Sequence, residues 1–209
     1  MMTKRSTIIA ASAAAVLLAA IGLWRSDLLE GVLYRADLMR AGPLGEQAIG
    51  ATDAPVTMIV YSALTCPHCA RFETEIFPAL KEQYIDTGKV RFIMREFPLN
   101  TLGNAAAMLP RCAGNDNYFP TVERLFRTQR TWNVEEPLQP LFASVQPQGF
   151  TEDSFKACLT DQRVADGIEW VRTRAMDKLK VRSTPTFFIN GERHVGFLSM
   201  ADVEKLIGK

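Results

Sequence analysis

The chain has 209 residues, and 47% of them are hydrophobic. This is enough to bury the core of one domain with an insertion, whereas two full domains would be a tight fit. Its 24 Lys and Arg residues are balanced by 23 Asp and Glu residues, which leaves a net charge of +1. Such a balance provides no basic surface for a nucleic acid, so nucleic-acid binding is not expected.

The N-terminus has the pattern of an export segment. Lys4 and Arg5 precede an unbroken run of apolar and small residues over 8–24, and this order is typical of a signal peptide. The run is also close to the ~18 residues that a membrane span requires. Residues 1–24 are therefore interpreted as a signal peptide or an N-terminal membrane anchor, and both place the rest of the chain outside the cytoplasm.

A linker is predicted after this segment. Apolar residues recur at helical spacing from Leu28 to Met39, which indicates an amphipathic helix, and Gly42-Pro43 ends it. We interpret residues 25–49 as this linker or amphipathic helix, and residues 50–209 as the folded domain.

The first part of the domain predicts a strand, a helix and a second strand. Runs of β-branched and apolar residues predict strands over 56–61 and 90–97. Between them, apolar positions every three or four residues predict a helix from Cys69 towards Gly88, with a kink at Pro78. This order is that of a βαβ unit with two parallel strands.

The second part of the domain combines helices with a hairpin. Residues 99–180 carry helical patterns and are interpreted as a helical insertion. The predicted helices cover 102–114, 118–128, 138–146, 151–159 and 161–180. A strand over 186–189, the turn Asn190-Gly191 and a return strand over 192–195 predict a hairpin, and a final helix ends the chain. The fold class is therefore α/β.

The stretch Cys66-Pro67-His68-Cys69 carries the clearest chemistry. It is predicted to begin a helix, where unpaired backbone N–H groups and the positive end of the helix dipole favour a thiolate at Cys66. Cys69, about one turn further into the helix, is then placed to resolve a mixed disulfide formed at Cys66. Pro67 suits the first helical turn, where its missing N–H costs nothing.

His68 lies between the two cysteines, and its imidazole can donate a hydrogen bond or a positive charge to the Cys66 thiolate. The other histidine, His194, falls in the predicted hairpin and is interpreted as a surface residue. A C-x-x-C pair can also bind zinc, but zinc needs two more ligands. Cys112 and Cys158 have no partner at short spacing, so no metal site is predicted.

Two further features lie outside this motif. Cys112 and Cys158 both fall in predicted helices of the insertion and are interpreted either as a structural disulfide or as two buried free thiols. Thr184-Pro185 leads into an apolar strand, and a proline at such a place occupies an edge position, a cis turn or an ordinary turn.

Two segments together resemble a known family. Ser-Ala-Leu-Thr-Cys-Pro-His-Cys over 62–69, a helical insertion and Thr-Pro-Thr-Phe-Phe-Ile-Asn-Gly over 184–191 resemble the DsbA-like thiol–disulfide oxidoreductases of bacteria. The resemblance covers residues 50–209 and implies a thioredoxin fold with an inserted helical domain. It also implies a cis peptide bond before Pro185 that faces Cys66, and a backbone at Thr184 that pairs with the substrate as a short strand.

The resemblance implies a periplasmic enzyme that oxidises cysteines in unfolded, freshly exported proteins. It implies a monomer that is recharged by a quinone-linked membrane oxidase and needs no cofactor, because its redox group is the Cys66–Cys69 disulfide itself. An uncleaved segment over 8–24 would anchor it in the inner membrane.

Two other functions are kept as alternatives. Threonine at position 184 also occurs in disulfide isomerases and reductases of this superfamily, although those proteins typically carry an N-terminal dimerisation domain. Only about 25 residues separate the apolar segment from the predicted fold here. The second alternative is a membrane-tethered chaperone that binds extended segments and makes little use of its cysteines.

Overall fold

The computed structural model describes residues 31–208, which fall into two units divided after Arg40. In the first unit a helix, α1, covers 31–39 and lies within the predicted amphipathic helix. Over the described residues no helix combines the length and the hydropathy needed to cross a membrane. The predicted export segment over 8–24 lies outside the described residues.

The second unit is built on a five-stranded sheet. Its strands are β1 (Gln47–Ile49), β2 (Val56–Ser62), β3 (Val90–Glu96), β4 (Thr186–Ile189) and β5 (Glu192–Val195). They lie side by side in the order β1-β3-β2-β4-β5. Strands β2 and β3 are parallel, and the other neighbours are antiparallel. The predicted α/β class and the predicted parallel pair are confirmed.

The two central strands are buried on both faces. All but one residue in each of β2 and β3 is buried, which explains their nearly continuous apolar runs, since a central parallel strand has no solvated face. The chain leaves the carboxyl end of β2 directly into the Cys-Pro-His-Cys stretch. The buried central strand of the sheet therefore positions that stretch.

Strand β1 corrects the predicted linker, because it lies within 25–49 and shows that the folded domain begins before residue 50. It pairs antiparallel with β3, with Gln47 opposite Met94. Three residues, one of them polar, are too few to show a strand period in the sequence. The preceding Glu46 binds the guanidinium of Arg95 in β3, with a carboxylate oxygen 2.7 Å from Nη2.

The helix after β2 changes its hydrogen bonding along its length. It consists of α2 (Pro67–Arg71), a π-helical turn (Phe72–Ile76), α3 (Phe77–Leu80) and a second π-helical turn (Lys81–Ile85). Pro78 lies in α3 and has no N–H to donate back along the helix. π-helical turns lie on both sides of α3, and the predicted kink at Pro78 stays a prediction.

Six α-helices lie between β3 and β4. They are α4 (Thr101–Cys112), α5 (Asn115–Arg127), α6 (Gln129–Trp132), α7 (Leu138–Val145), α8 (Glu152–Leu159) and α9 (Gln162–Asp177). Five of them correspond to predicted helices, with boundaries shifted by three residues or fewer. The short α6 is an addition, since one helical turn is too short to show a period in the sequence.

The predicted hairpin and the predicted final helix are also present. Asn190 and Gly191 both have positive φ, 50° and 91°, as a two-residue turn of this sequence requires. The final helix, α10 (Met200–Ile207), begins with a capping box in which the side chains of Ser199 and Asp202 each accept a hydrogen bond from the other's backbone N–H.

A buried carboxylate ties the insertion to the sheet. Glu96, at the end of β3, accepts two hydrogen bonds from the Arg111 guanidinium of α4 and one, at 2.8 Å, from the Tyr118 hydroxyl of α5. Arg111 also donates to the backbone oxygens of Leu44 and Gly45, ahead of β1. The side chains of Glu96 and Arg111 are almost fully buried, so loss of either partner would leave an uncompensated charge in the interior.

A disulfide links two helices of the insertion. It joins Cys112, at the end of α4, to Cys158 in α8, with the two Cα atoms 5.9 Å apart. The sequence leaves open either a disulfide or two free thiols for these cysteines. The structure contains the disulfide.

We predict that the Cys112→Ser, Cys158→Ser double variant loses about 4 kcal/mol of unfolding free energy. The bridged residues are 46 positions apart, and the chain-entropy model assigns about this value to a loop of that length. Urea unfolding of the fully oxidised wild type and of the variant measures the loss. Non-reducing peptide mapping of the wild type should recover a peptide linking positions 112 and 158, and alkylation of both thiols without reductant would contradict the bridge.

Candidate active site

Cys66 is the N-cap residue of α2. Its backbone is extended, with φ −85° and ψ 122°, and Pro67 begins the helix. The Cys66 N–H donates to the oxygen of Ala63 at 3.0 Å, and the Cys66 oxygen accepts a helical hydrogen bond from the N–H of Ala70 at 3.1 Å. Its sulfur therefore lies at the end of the helix where backbone N–H groups have no helical acceptor.

Hydrogen bonds lower the pKa of the Cys66 thiol from 9.0 to about 5. The Cys69 thiol makes the largest contribution, and burial of the sulfur opposes it. The Thr184 side chain, whose hydroxyl is buried, acts in the same direction as Cys69. The backbone N–H groups of Cys69 and His68 also lower the pKa, as predicted for a sulfur at a helix N-terminus.

Cys69 has the opposite electrostatic environment. It is 2% exposed, and burial raises the pKa of its thiol well above the usual value. The hydrogen bond to the Cys66 sulfur and the charge on that sulfur raise it further. At neutral pH the pair consists of a thiolate at Cys66 and a thiol at Cys69. Such a pair can exchange disulfides through Cys66, while Cys69 holds the proton until it is needed as a nucleophile.

The two histidines differ in their environments. His68 and Pro67 are exposed beside the Cys66 sulfur, and the backbone N–H of His68 is one of the groups that lower the Cys66 pKa. A contribution from the His68 imidazole stays a prediction. His194, which the sequence suggests is a surface residue, is half-buried in the structure, with its side chain 18% exposed. Residue 194 lies opposite Phe187 in the paired strands β4 and β5, and this packing covers it.

The loop before β4 lies against Cys66. The peptide bond between Thr184 and Pro185 is cis, and the backbone oxygen of Thr184 is 3.4 Å from the Cys66 sulfur. The fold thus brings together residues that are 118 positions apart. A peptide backbone that ran beside Thr184 would pass directly by the reactive sulfur.

The predicted site residues fall into two groups. The residues that meet around the Cys66 sulfur are Pro67, His68, Cys69, Thr184 and Pro185. Cys112 and Cys158 are bound to each other in the insertion. In the part of the chain that the structure describes, no three His, Cys, Asp or Glu side chains are grouped as metal ligands.

Gln129 is a site residue that the sequence does not reveal. It belongs to α6, is buried, and donates from Nε2 to the backbone oxygens of Leu64 at 2.6 Å and Cys66 at 3.0 Å. Asn133, just after α6, donates to the oxygen of Thr65 at 3.4 Å. Three consecutive carbonyl groups of the loop before α2 therefore have their partners in the insertion. Each of these contacts joins residues about 65 positions apart in the sequence. No local sequence pattern therefore indicates the roles of Gln129 and Asn133.

Glu73 is a second residue of this kind. It lies one turn after Cys69, in the first π-helical turn, and is 6% exposed. Burial raises the pKa of its carboxyl to about 8, and the charge of Glu123 contributes in the same direction. A buried acid so close to the redox pair titrates near neutral pH. Glu73 lies four positions after Cys69 and four before Phe77, both of which are buried, so it shares their face of the helix. Helix α5 of the insertion packs against this turn.

Comparison with known proteins places this geometry in a family. The sequence profile of the family described as "Thioredoxin" matches residues 44–209. The crystal structure of α-DsbA1 from Wolbachia pipientis superposes with a TM-score of 0.75 at 33% identity, covering 82% of this chain and 95% of that one. The chain belongs to the DsbA-like family of the thioredoxin superfamily. The profile begins before β1, in agreement with the corrected domain boundary.

Other relatives share the fold or part of the sequence. A protein of Rickettsia bellii named "Putative protein-disulfide oxidoreductase" is 33% identical over 149 residues, covering 70% of this chain and 57% of that protein. The chain thus spans little more than half the length of this relative. The structure of BdbD from Bacillus subtilis, 23% identical with a TM-score of 0.69, covers 78% of this chain and 91% of that one and has the same fold.

We predict that Glu73→Gln stabilises the protein increasingly as pH rises. With a folded pKa of about 8 against 4.5 in the unfolded chain, the carboxyl takes up a proton on folding. The stability associated with that proton is complete below about pH 4.5 and is lost as pH rises through about 8. The neutral amide removes this dependence, so the variant should gain up to about 3 kcal/mol at pH 7 and almost nothing at pH 4.5.

Thermal unfolding of wild type and variant at pH 4.5, 6, 7 and 8 measures this gain. Glu75→Gln, which changes an exposed carboxylate in the same π-helical turn, is the matched control and should show a much smaller gain. A gain for Glu73→Gln that stayed constant over this range would contradict a buried, protonated Glu73.

Proposed function

We propose that this protein is an exported thiol–disulfide oxidoreductase that introduces disulfide bonds into other exported proteins. The observation that carries the proposal is the Cys66 pKa of about 5 at the N-terminus of α2, beside the Thr184 backbone and within a DsbA-like fold. The relative in Rickettsia bellii, which is named a putative protein-disulfide oxidoreductase, and the structural similarity to Wolbachia α-DsbA1 support the same activity.

The proposed reaction moves two electrons from a client dithiol to the Cys66–Cys69 pair. Cys69 takes up one of the two client protons, and the other is released to solvent, because Cys66 leaves as a thiolate. A client thiolate attacks the Cys66 sulfur, the Cys66–Cys69 bond breaks, and Cys69 takes up a proton. The second client thiolate then attacks the client sulfur of the mixed disulfide, so that a client disulfide forms and Cys66 leaves as a thiolate. The low pKa of Cys66 makes it a good leaving group in this second step.

The direction of exchange follows from the stability of the thiolate. Interactions that favour the reduced, ionised Cys66 shift the equilibrium towards reduction of this protein and oxidation of the client. The environment described for Cys66 therefore favours an oxidase over a reductase or an isomerase. DsbA is the established case in which stabilisation of the reduced form makes a strong oxidant.

Location and recharging complete the proposal. The N-terminal pattern over 1–24 supports export to the periplasm, as a cleaved or an anchored protein. An oxidase of this kind needs an acceptor for the electrons it collects, and we propose a quinone-linked membrane oxidase for that role. We propose that the protein works as a monomer on unfolded clients.

Acid quenching of intact cells, followed by alkylation, tests the proposal through the redox state of Cys66 and Cys69. An oxidase should be found mostly oxidised, whereas a mostly reduced pair would identify an isomerase or a reductase. A Cys66→Ser, Cys69→Ser variant separates both from a chaperone. Full biological activity of that variant would overturn the enzymatic proposal.

We predict that the reduced protein is more stable than the oxidised one at pH 7, by about 2 kcal/mol after allowance for solvent screening. The folded pKa of Cys66 is depressed from 9.0 to about 5. The thiolate contribution is therefore complete above pH 9, falls as pH drops, and is lost below about 5. The Cys66–Cys69 disulfide offsets little of it, because it closes a very short loop.

Urea unfolding of both redox forms at pH 7 and pH 5 measures this difference. The Cys112→Ser, Cys158→Ser background keeps the other disulfide out of the comparison. An oxidised form as stable as the reduced one at pH 7, or a gap that did not shrink at pH 5, would contradict a stabilised thiolate at Cys66.

We predict that Cys69→Ser accumulates mixed disulfides between Cys66 and client proteins, because the resolving thiol is absent. Cys66→Ser should accumulate few, since the remaining Cys69 is buried and its thiol pKa is raised. Non-reducing gels of acid-quenched cells compare the two variants. Equal amounts of adduct with both would contradict the assignment of Cys66 as nucleophile and Cys69 as resolving cysteine.

A further inference from the structure

A recess of about 500 Å³ lies beside the redox motif. Pro67 and His68 line it on the side of the motif, and Gln129, Arg130 and Thr131 line it on the side of α6. We call it the cationic recess. It is the place where the exposed part of the Cys-Pro-His-Cys stretch and the insertion border the same open space.

Three arginines and two carboxylates determine the charge of the cationic recess, because Glu123, which lies outside its lining, binds Arg127. The charged residues that line it are Arg71, Arg127, Arg130 and Glu75. The chain as a whole has almost equal numbers of cationic and acidic residues. With Arg71 paired to Glu75 and Arg127 paired to Glu123, the local excess is the single charge of Arg130. The recess that holds it begins at Pro67 and His68, directly after the reactive cysteine.

Two of the three arginines form ion pairs, and the third does not. Arg71 binds Glu75 at 2.8 Å, and Arg127 binds Glu123 at 2.7 Å. Arg130 is exposed, and its guanidinium has no hydrogen bond or ion pair with any residue over 31–208. Guanidinium groups form paired hydrogen bonds with carboxylates. The recess thus offers one unused guanidinium for a carboxylate, that of Arg130, beside two arginines whose charges are already paired.

We propose that the cationic recess binds acidic side chains of client polypeptides that lie close to the cysteine undergoing oxidation. This inference rests on the proposed function and names a class of clients for it. A client whose sulfur reaches Cys66 and whose backbone runs along Thr184 continues past His68, where the recess begins. Arg130 is the unpaired charge of the recess that its flanking residues can reach.

The exposure of these arginines sets the size of the effect. The side chains of Arg71 and Arg127 are 56% and 63% exposed, so each interaction is weak and screened by salt. A small free anion is held poorly at such a surface. A client is already held at the site by its backbone and its sulfur. For such a bound client we expect the recess arginines to change the rate of oxidation about 5-fold, which corresponds to roughly 1 kcal/mol.

Three synthetic dithiol peptides, identical except for Glu, Gln or Lys at two positions flanking the first cysteine, test the inference. We expect kcat/KM for oxidation by the full chain to be about 5-fold higher for the Glu peptide than for the Lys peptide at low ionic strength. The Gln peptide should lie between them. The preference should fall below about 2-fold in 0.5 M NaCl, because the Debye length is then only a few ångströms.

Variants locate the origin of this preference. Arg127→Gln, Arg130→Gln should reduce the ratio between the Glu and Lys peptides to below about 2-fold. Arg163→Gln, which changes an arginine in α9 whose side chain is 76% exposed and lies outside the recess, should keep the full ratio. Because each ratio is measured within one protein, a change in overall activity or folding cancels out.

The outcomes separate this inference from the proposed function. If wild type oxidises all three peptides at equal rates, or if the double variant keeps the wild-type ratio, the cationic recess does not select clients and the inference is overturned. If wild type oxidises neither the peptides nor dithiothreitol, the proposed oxidase function itself fails.

Discussion

The Cys66 sulfur is only slightly exposed to water and is nevertheless ionised at neutral pH. A charge in such a place is stable only if hydrogen-bond donors replace the water that it has lost. Here the donors are the first N–H groups of α2 and the Cys69 thiol. Most of them come from the turn that begins at Cys66, so their geometry depends on how firmly the backbone ahead of that turn is held.

That backbone is held from the sheet and from the insertion. The N–H of Phe97 donates to the oxygen of Ser62 at 2.8 Å, which joins the ends of β3 and β2. Gln129 and Asn133 bind the next carbonyl groups from the insertion. The buried contact between Glu96 and Arg111 in turn fixes the insertion on β3. The redox chemistry therefore depends on a chain of buried polar contacts in which each member has its partner.

Features with a local cause can be predicted from the sequence. The Cys-Pro-His-Cys stretch begins a helix, and Asn190-Gly191 forms a hairpin turn, because neighbouring residues dictate both. β1 and α6 are too short to show a period, and only pairing with β3 or packing in the insertion makes them regular. Glu73 is buried in the turn against which α5 of the insertion packs. Long-range contact, which a single sequence does not display, decides all three.

Gln129 also gives the inserted domain a direct part in the geometry of the redox centre. Its amide binds the carbonyls of Leu64 and Cys66, yet the residue lies on a helix far along the chain from the motif. The insertion is thus a component of the redox centre. A hybrid protein that received the insertion of a relative would exchange this amide as well, and its reactivity would depend on the donor of the helices as much as on the donor of the two cysteines.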